Sequence, residues 1–74
     1  MKTKPYYPNL EDAMRRNGIL KKDIAKLLGL TRVSISQKFN GKSEFRLSEA
    51  RAIEDYIESV SESDYSIDYL FEIK

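Results

Sequence analysis

Two helix-length segments meet at a single glycine between Lys21 and Gly41, and this spacing constrains the fold more than any other feature of the chain. Lys21 to Leu28 carries Ile24, Ala25, Leu27 and Leu28 as an apolar stripe at helical spacing. Gly29 offers the left-handed backbone that stops a helix and lets the chain reverse. Thr31 then supplies a hydroxyl cap for a second segment, Arg32 to about Phe39, which the Asn40-Gly41 pair closes. Ala25 is small where the two helices must cross, Leu30 plugs the turn, and Ile35 points back at Ala25. The expectation is a bihelical unit of fixed crossing geometry, a helix-turn-helix over about residues 21–41.

The remaining elements are read outward from that unit. Pro5 and Pro8 push the residues before them out of the helical region, so residues 1–8 read as an N-terminal arm and 9–74 as one domain. Asn9 is expected to cap the first helix, with Glu11 and Asp12 in its first turn, Arg15 and Arg16 in its last, and Gly18 at its end. Leu47, Ala50, Ile53, Ile57 and Val60 predict a fourth, longer helix that frays in the serine-rich stretch from Ser59 to Ser63. Two readings fit the last eleven residues. Tyr65, Ile67, Tyr69, Phe71 and Ile73 alternate as a strand would, one that pairs with its copy across a dimer axis; Ser66 could instead cap a short helix with Ile67, Leu70 and Phe71 on one face. The helix is favoured, because a lone strand has no partner in the chain. An all-α domain of four or five helices follows.

Composition narrows the chemistry. Seventy-four residues allow one small core, and the absence of cysteine and histidine removes disulfides, thiolate nucleophiles, imidazole bases and the usual zinc ligands. Neither catalysis nor a metal, cofactor or small-molecule substrate is expected. A Ser34–Lys38 dyad would lie on an open helix without a pocket, and Glu54, Asp55 and Glu58 are spaced to solvate a helix face rather than to cage a cation. No apolar run nears the roughly 18 residues that span a bilayer, and Met-Lys-Thr-Lys-Pro lacks a signal peptide's apolar segment, so a cytoplasmic location with no membrane partner is expected. Charge is strongly divided: residues 1–46 hold eleven Lys and Arg against four acids, and residues 47–74 hold eight acids against two basic residues. Such a division suits a chain with one half on a polyanion.

The third helix is two-faced. At about 100° per residue, Arg32, Ser36, Val33 and Gln37 fan over one side while Ile35 and Phe39 fall on the other. The outward side carries no carboxylate. Arg pairs bidentately with guanine, Gln with adenine, and Val meets a thymine methyl, so these four residues are candidate base contacts in a major groove of double-stranded DNA. Lys21 and Lys22 open a helix where the dipole disfavours cations, a cost of a few tenths of a kcal/mol that a phosphate would offset. With Thr31, Lys38, Lys42, Arg46 and the amides near Asn40 and Gly41, they form the candidate phosphate set. Lys38 reads equally well as a surface residue that lays its stem on apolar neighbours. Lys2 and Lys4 could reach DNA from the arm, although disorder of Met1 to Lys4 is the favoured expectation, and Tyr6 and Tyr7 are expected to cover the core.

The run IAKLLGLTRVSISQKFNGKSEF, residues 24–45, resembles the Cro/CI-type helix-turn-helix repressors of phages and their bacterial relatives. With RLSEARAI as helix 4 and SIDYLFE as the closing element, the resemblance covers roughly residues 9–71, and it is closest in kind to short prophage-encoded repressor-like proteins of low-GC Gram-positive bacteria. The resemblance implies operator DNA as ligand and a homodimer on two half-sites. It assigns base reading to Arg32, Val33 and Gln37 and a phosphate role to Lys21. Leu20 departs from the Ser or Thr that usually caps helix 2, and Val33 stands where relatives are often polar. Dimerisation is expected through residues 53–71, with Ile57, Tyr65, Tyr69 and Phe71 as interface candidates. The competing reading keeps the fold but makes the chain a protein-interaction module, an antirepressor or antitoxin-like subunit, with little DNA binding.

Overall fold

A computed structural model describes residues 5–61 and 64–73, and these form five helices with no strand among them. The helices are α1 (Pro8–Arg16), α2 (Lys21–Leu28), α3 (Arg32–Phe39), α4 (Leu47–Ser61) and α5 (Ile67–Leu70). The all-α class and the helix-turn-helix at its centre are as the sequence predicts. α2 packs on α3 and α4, and the short α5 joins α1 to α4.

The first three helices end alike. The carbonyls of Met14, Ala25 and Gln37 each accept an N–H from the residue five further on, Ile19, Leu30 and Lys42, at 2.9 Å. This closure needs a left-handed residue just before the donor, and Gly29 (φ +68°) and Gly41 (φ +81°) hold that conformation at the ends of α2 and α3. Beyond it, Ile19 turns into the core and Leu30 packs against it, so each of these stops also starts a packing contact.

The start of α1 differs from expectation. Asn9 does not cap it: Pro8 already occupies the first turn, where its missing N–H costs nothing, and Tyr7 precedes it without a side-chain cap. The Asn9 carboxamide donates instead to Tyr69 O at 3.0 Å and to Glu72 Oε1 at 3.2 Å, tying α1 to the end of the chain. At the other terminus, Ser66 Oγ accepts the Tyr69 N–H at 3.1 Å and fixes a helix, so the strand alternative falls. α4 runs unbroken to Ser61; Glu62 and Ser63 of the expected frayed stretch lie outside the described residues.

Leu10, Ile24, Phe39, Ile53, Ile57 and Leu70 fill the centre. Leu27, Leu47 and Val60, placed in apolar stripes by spacing, are exposed; Leu47 and Val60 stand in the first and last turns of α4, outside the stretch that buries Ala50, Ile53 and Ile57. An aromatic cluster seals one end: Phe45 lies 5.5 Å from Phe39, 5.6 Å from Tyr7 and 5.3 Å from Phe71, mostly edge to face. Tyr7 is buried as expected, and burial, with Tyr6 and Glu44 nearby, pushes its phenol above the ordinary tyrosine range. The Tyr6 ring lies over Gly41 so closely that a Cβ there would fall 2.5 Å from it. Gly41 therefore serves both the backbone turn and the packing of the chain's start.

Candidate nucleic-acid interface

The helix α3 is held so that one side faces solvent. Thr31 Oγ1 accepts the Ser34 N–H at 3.1 Å and fixes the first turn, as expected of an N-cap. Ile35 and Phe39 are buried, whereas Arg32, Val33, Ser36 and Gln37 are exposed, Val33 at 66%. An isopropyl group this open on an eight-residue helix is not there for the core. Arg32 and Ser36 also line a cleft of about 520 Å³ between α2 and α3, floored by Ala25, Leu30 and Ile35 and rimmed by Lys21, Lys22 and Lys26. Lys26 escaped the sequence reading, although its place one turn after Lys22 puts both on the same side of α2.

α2 opens with half of a capping box. The Asp23 carboxylate accepts the Leu20 N–H at 2.9 Å, but a leucine side chain has no acceptor with which to return the bond. The Leu20 carbonyl takes the Asp23 and Ile24 N–H groups instead, at 2.9 and 3.3 Å, and Lys21 and Lys22 gain no side-chain cap. The first turn thus keeps donors that an anion can use.

The ion pairs sort the cations of the basic half. Arg15 and Arg16 turn to Asp12, the latter at 2.8 Å. Lys21 Nζ stands 3.6 Å from Glu11 and 5.1 Å from the Phe39 ring centre, half exposed. No described carboxylate makes an ion pair with Lys22, Lys26, Arg32 or Lys42, all exposed and all on α2, α3 or the loop that leaves it, while the charge of the exposed Arg46 lies near enough to Glu49 to lower that carboxyl. A solvated surface normally intersperses its charges; here Lys22 and Lys26 line one cleft with Arg32, and Lys42 and Arg46 follow in the loop after α3.

Three of the candidates are placed otherwise. Lys38 is only 13% exposed: its ammonium donates to Glu44 O at 2.9 Å and meets Glu49 Oε1 at 3.1 Å, so it is turned to α4 rather than to solvent. The amides of Asn40 and Gly41 are also occupied, donating to Ser36 O at 3.0 Å and Lys38 O at 3.2 Å in the closure of α3. They are not free for phosphate, and of this pair the Asn40 side chain is what remains on the surface.

The same holds for one dimer candidate. Ile57 is 0% exposed and packed in the core, out of reach of any second chain. Phe71 is half-buried against Tyr7 and Phe45. Tyr65 and Tyr69 stack at 6.1 Å beside Glu54, Asp64 and Ser66, around an open cleft of about 580 Å³. Of the four, Tyr69 is the most exposed.

Two short helices joined through the Gly29 turn and packed on each other and on α4 define a helix-turn-helix domain. A helix-turn-helix family model matches residues 10–65, and the chain belongs to the Cro/CI-type helix-turn-helix family, whose members are DNA-binding transcriptional regulators. Comparison with curated proteins and with solved structures gives no match. Among the described residues no helix is long and apolar enough to cross a membrane, and no cluster of three or more acidic residues could hold a metal ion.

Proposed function

We propose that this chain is a sequence-specific repressor of a phage or prophage element, acting as a homodimer on operator DNA with α3 in the major groove. The exposed, carboxylate-free side of α3 carries the reading. Arg32, Val33, Ser36 and Gln37 supply a bidentate donor fork, an apolar contact for a thymine methyl, a hydroxyl and a carboxamide, which together can discriminate base pairs. Lys21, Lys22 and Lys26 at the α2 side and Lys42 and Arg46 at the far end bracket that surface, and they grip phosphates on either side of the groove. Thr31 and the Asn40 side chain stand at the two ends of α3 and add backbone contacts. The exposed Tyr69 and its neighbour Tyr65 are the proposed contact between protomers, with half-sites about one helical turn apart.

Selection from a random duplex pool at stated salt tests this. A recurrent motif is expected, and Arg32→Ala or Gln37→Ala costs about 1–3 kcal/mol on that motif while binding to random duplex barely changes. Equal losses on both duplexes, or no enriched motif, would refute base reading by α3.

A further inference from the structure

We infer that Lys38 and Glu49 position the recognition surface, locking the end of α3 to the loop and to the start of α4 so that base and phosphate contacts engage together. The inference rests on the operator reading above. Its basis is a cluster of bonds that share atoms. Glu49 Oε1 accepts the Arg46 N–H at 2.9 Å, which caps the start of α4, and the same oxygen stands 3.1 Å from Lys38 Nζ. Lys38 Nζ also donates to the Glu44 carbonyl at 2.9 Å and lies 5.8 Å from the Phe45 ring centre. One ammonium from α3 thus holds a carbonyl and a carboxylate from two further points of the chain, at 13% and 16% side-chain exposure.

The cluster spans the segment that carries Lys42 and Arg46, the exposed cations beyond α3, while the last base-facing residue, Gln37, stands next to Lys38 in sequence. Free of the bracket, that loop would still offer its charge to any duplex. It would no longer hold the charge at a fixed distance from Arg32 and Gln37. Non-specific binding needs only the charge, whereas reading a sequence needs both sets of contacts at one geometry. Lys38 and Glu49 are therefore positioning residues that touch no DNA, and their loss costs discrimination rather than attraction.

Lys38→Met keeps the stem and its packing but removes the ammonium, and Lys38→Arg restores a donor group of the same charge. Affinity is measured on the selected motif and on random duplex, over a salt series, at a temperature where each variant is folded. For Lys38→Met the ratio of motif to random affinity is expected to fall about tenfold. Random-duplex affinity and the salt slope stay unchanged, and Lys38→Arg recovers most of the ratio. An unchanged ratio in Lys38→Met would overturn the inference by leaving the pair a stability role alone. A slope lower by about one, with equal loss on both duplexes, would overturn it by making Lys38 a phosphate contact. Should Lys38→Met not fold, Glu49→Gln keeps an oxygen for Arg46 and weakens only the charge pair, and a drop of the same sign is expected. Lack of any preferred motif in the unaltered chain overturns the operator reading instead, so the two failures are told apart.

Discussion

Arg32 and Lys38 are cations on one short helix, and the molecule uses them in opposite ways. Arg32 stands exposed beside a basic cleft with no described acid in reach, while Lys38 is drawn against α4 by a carboxylate and a carbonyl. Helical phase alone would set Arg32, about 20° from Phe39, nearer the core side than Lys38, about 100° from it, but phase reports only direction from the axis. What lies in that direction is decided by where the 40–46 loop brings its own Glu44 and, on the α4 that follows it, Glu49. A charge on a helix is thus free or fixed according to its tertiary neighbours.

The largest effect expected from this contrast is between inside and outside. Phe39→Ala removes a side chain that is 1% exposed and touches the aromatic cluster, at a cost of about 3–5 kcal/mol. A single core in a domain this small supplies about that much net stability, so the variant is expected to be largely unfolded at room temperature. Val33→Ala, on the same helix but at 66% exposure, shifts stability by less than about 0.5 kcal/mol. Denaturant titration followed by circular dichroism reads both. Similar losses at the two positions would mean that Val33 is packed and that α3 does not present that side.

Much of this was legible in the chain itself, for a physical reason. Gly29, Thr31, Ile35 and the Asn40-Gly41 pair act locally, through backbone conformation and helical spacing, and residues that act locally can be read in order. The misreadings share one cause. Asn9 has the chemistry of a cap but spends its carboxamide on Tyr69 and Glu72, sixty residues on. Lys38 is claimed by Glu49, Ile57 by the convergence of several helices, and the amides of Asn40 and Gly41 by a closure whose acceptors only the folded turn brings near. Lys26 was missed for the opposite reason, since its significance lies in the cleft it rims and not in any motif.

A second contrast sets Lys42 against Lys38. Lys42 is exposed and has no ion pair among the described residues, so replacing it by alanine is expected to remove the proposed phosphate contact without disturbing a packed neighbour. Binding to every duplex should weaken by a similar factor, and the slope of log affinity against log salt should fall by about one unit. Lys38 variants should leave that slope alone. If Lys42→Ala changes motif and random binding unequally, the loop reads bases, and the division between reading helix and gripping loop is lost.

The smallest expected effect concerns how the two ends of α3 respond to acid. Its start is capped by the neutral hydroxyl of Thr31, whereas its far end depends on the Glu49 carboxylate. Burial alone would raise the Glu49 carboxyl, but the Arg46 N–H, the Lys38 ammonium and the Arg46 charge outweigh it and hold the group below the ordinary value of 4.5. A depressed carboxyl contributes stability that is fully present above its unfolded value and is lost as pH falls through the lower folded value. Melting midpoints of the unaltered chain should therefore drop below about pH 4.5 more steeply than those of Glu49→Gln, whose amide does not titrate there. Other carboxylates titrate in the same range, so the difference between the two curves, rather than either alone, carries the Glu49 contribution. Amide exchange would place the effect: on acidification, protection should weaken first in α4's opening turn and the loop before it, while the Ser34 amide bonded to Thr31 keeps its own. Parallel loss at both ends of α3 would mean that the helix loosens as one body and that the bracket has no separate existence.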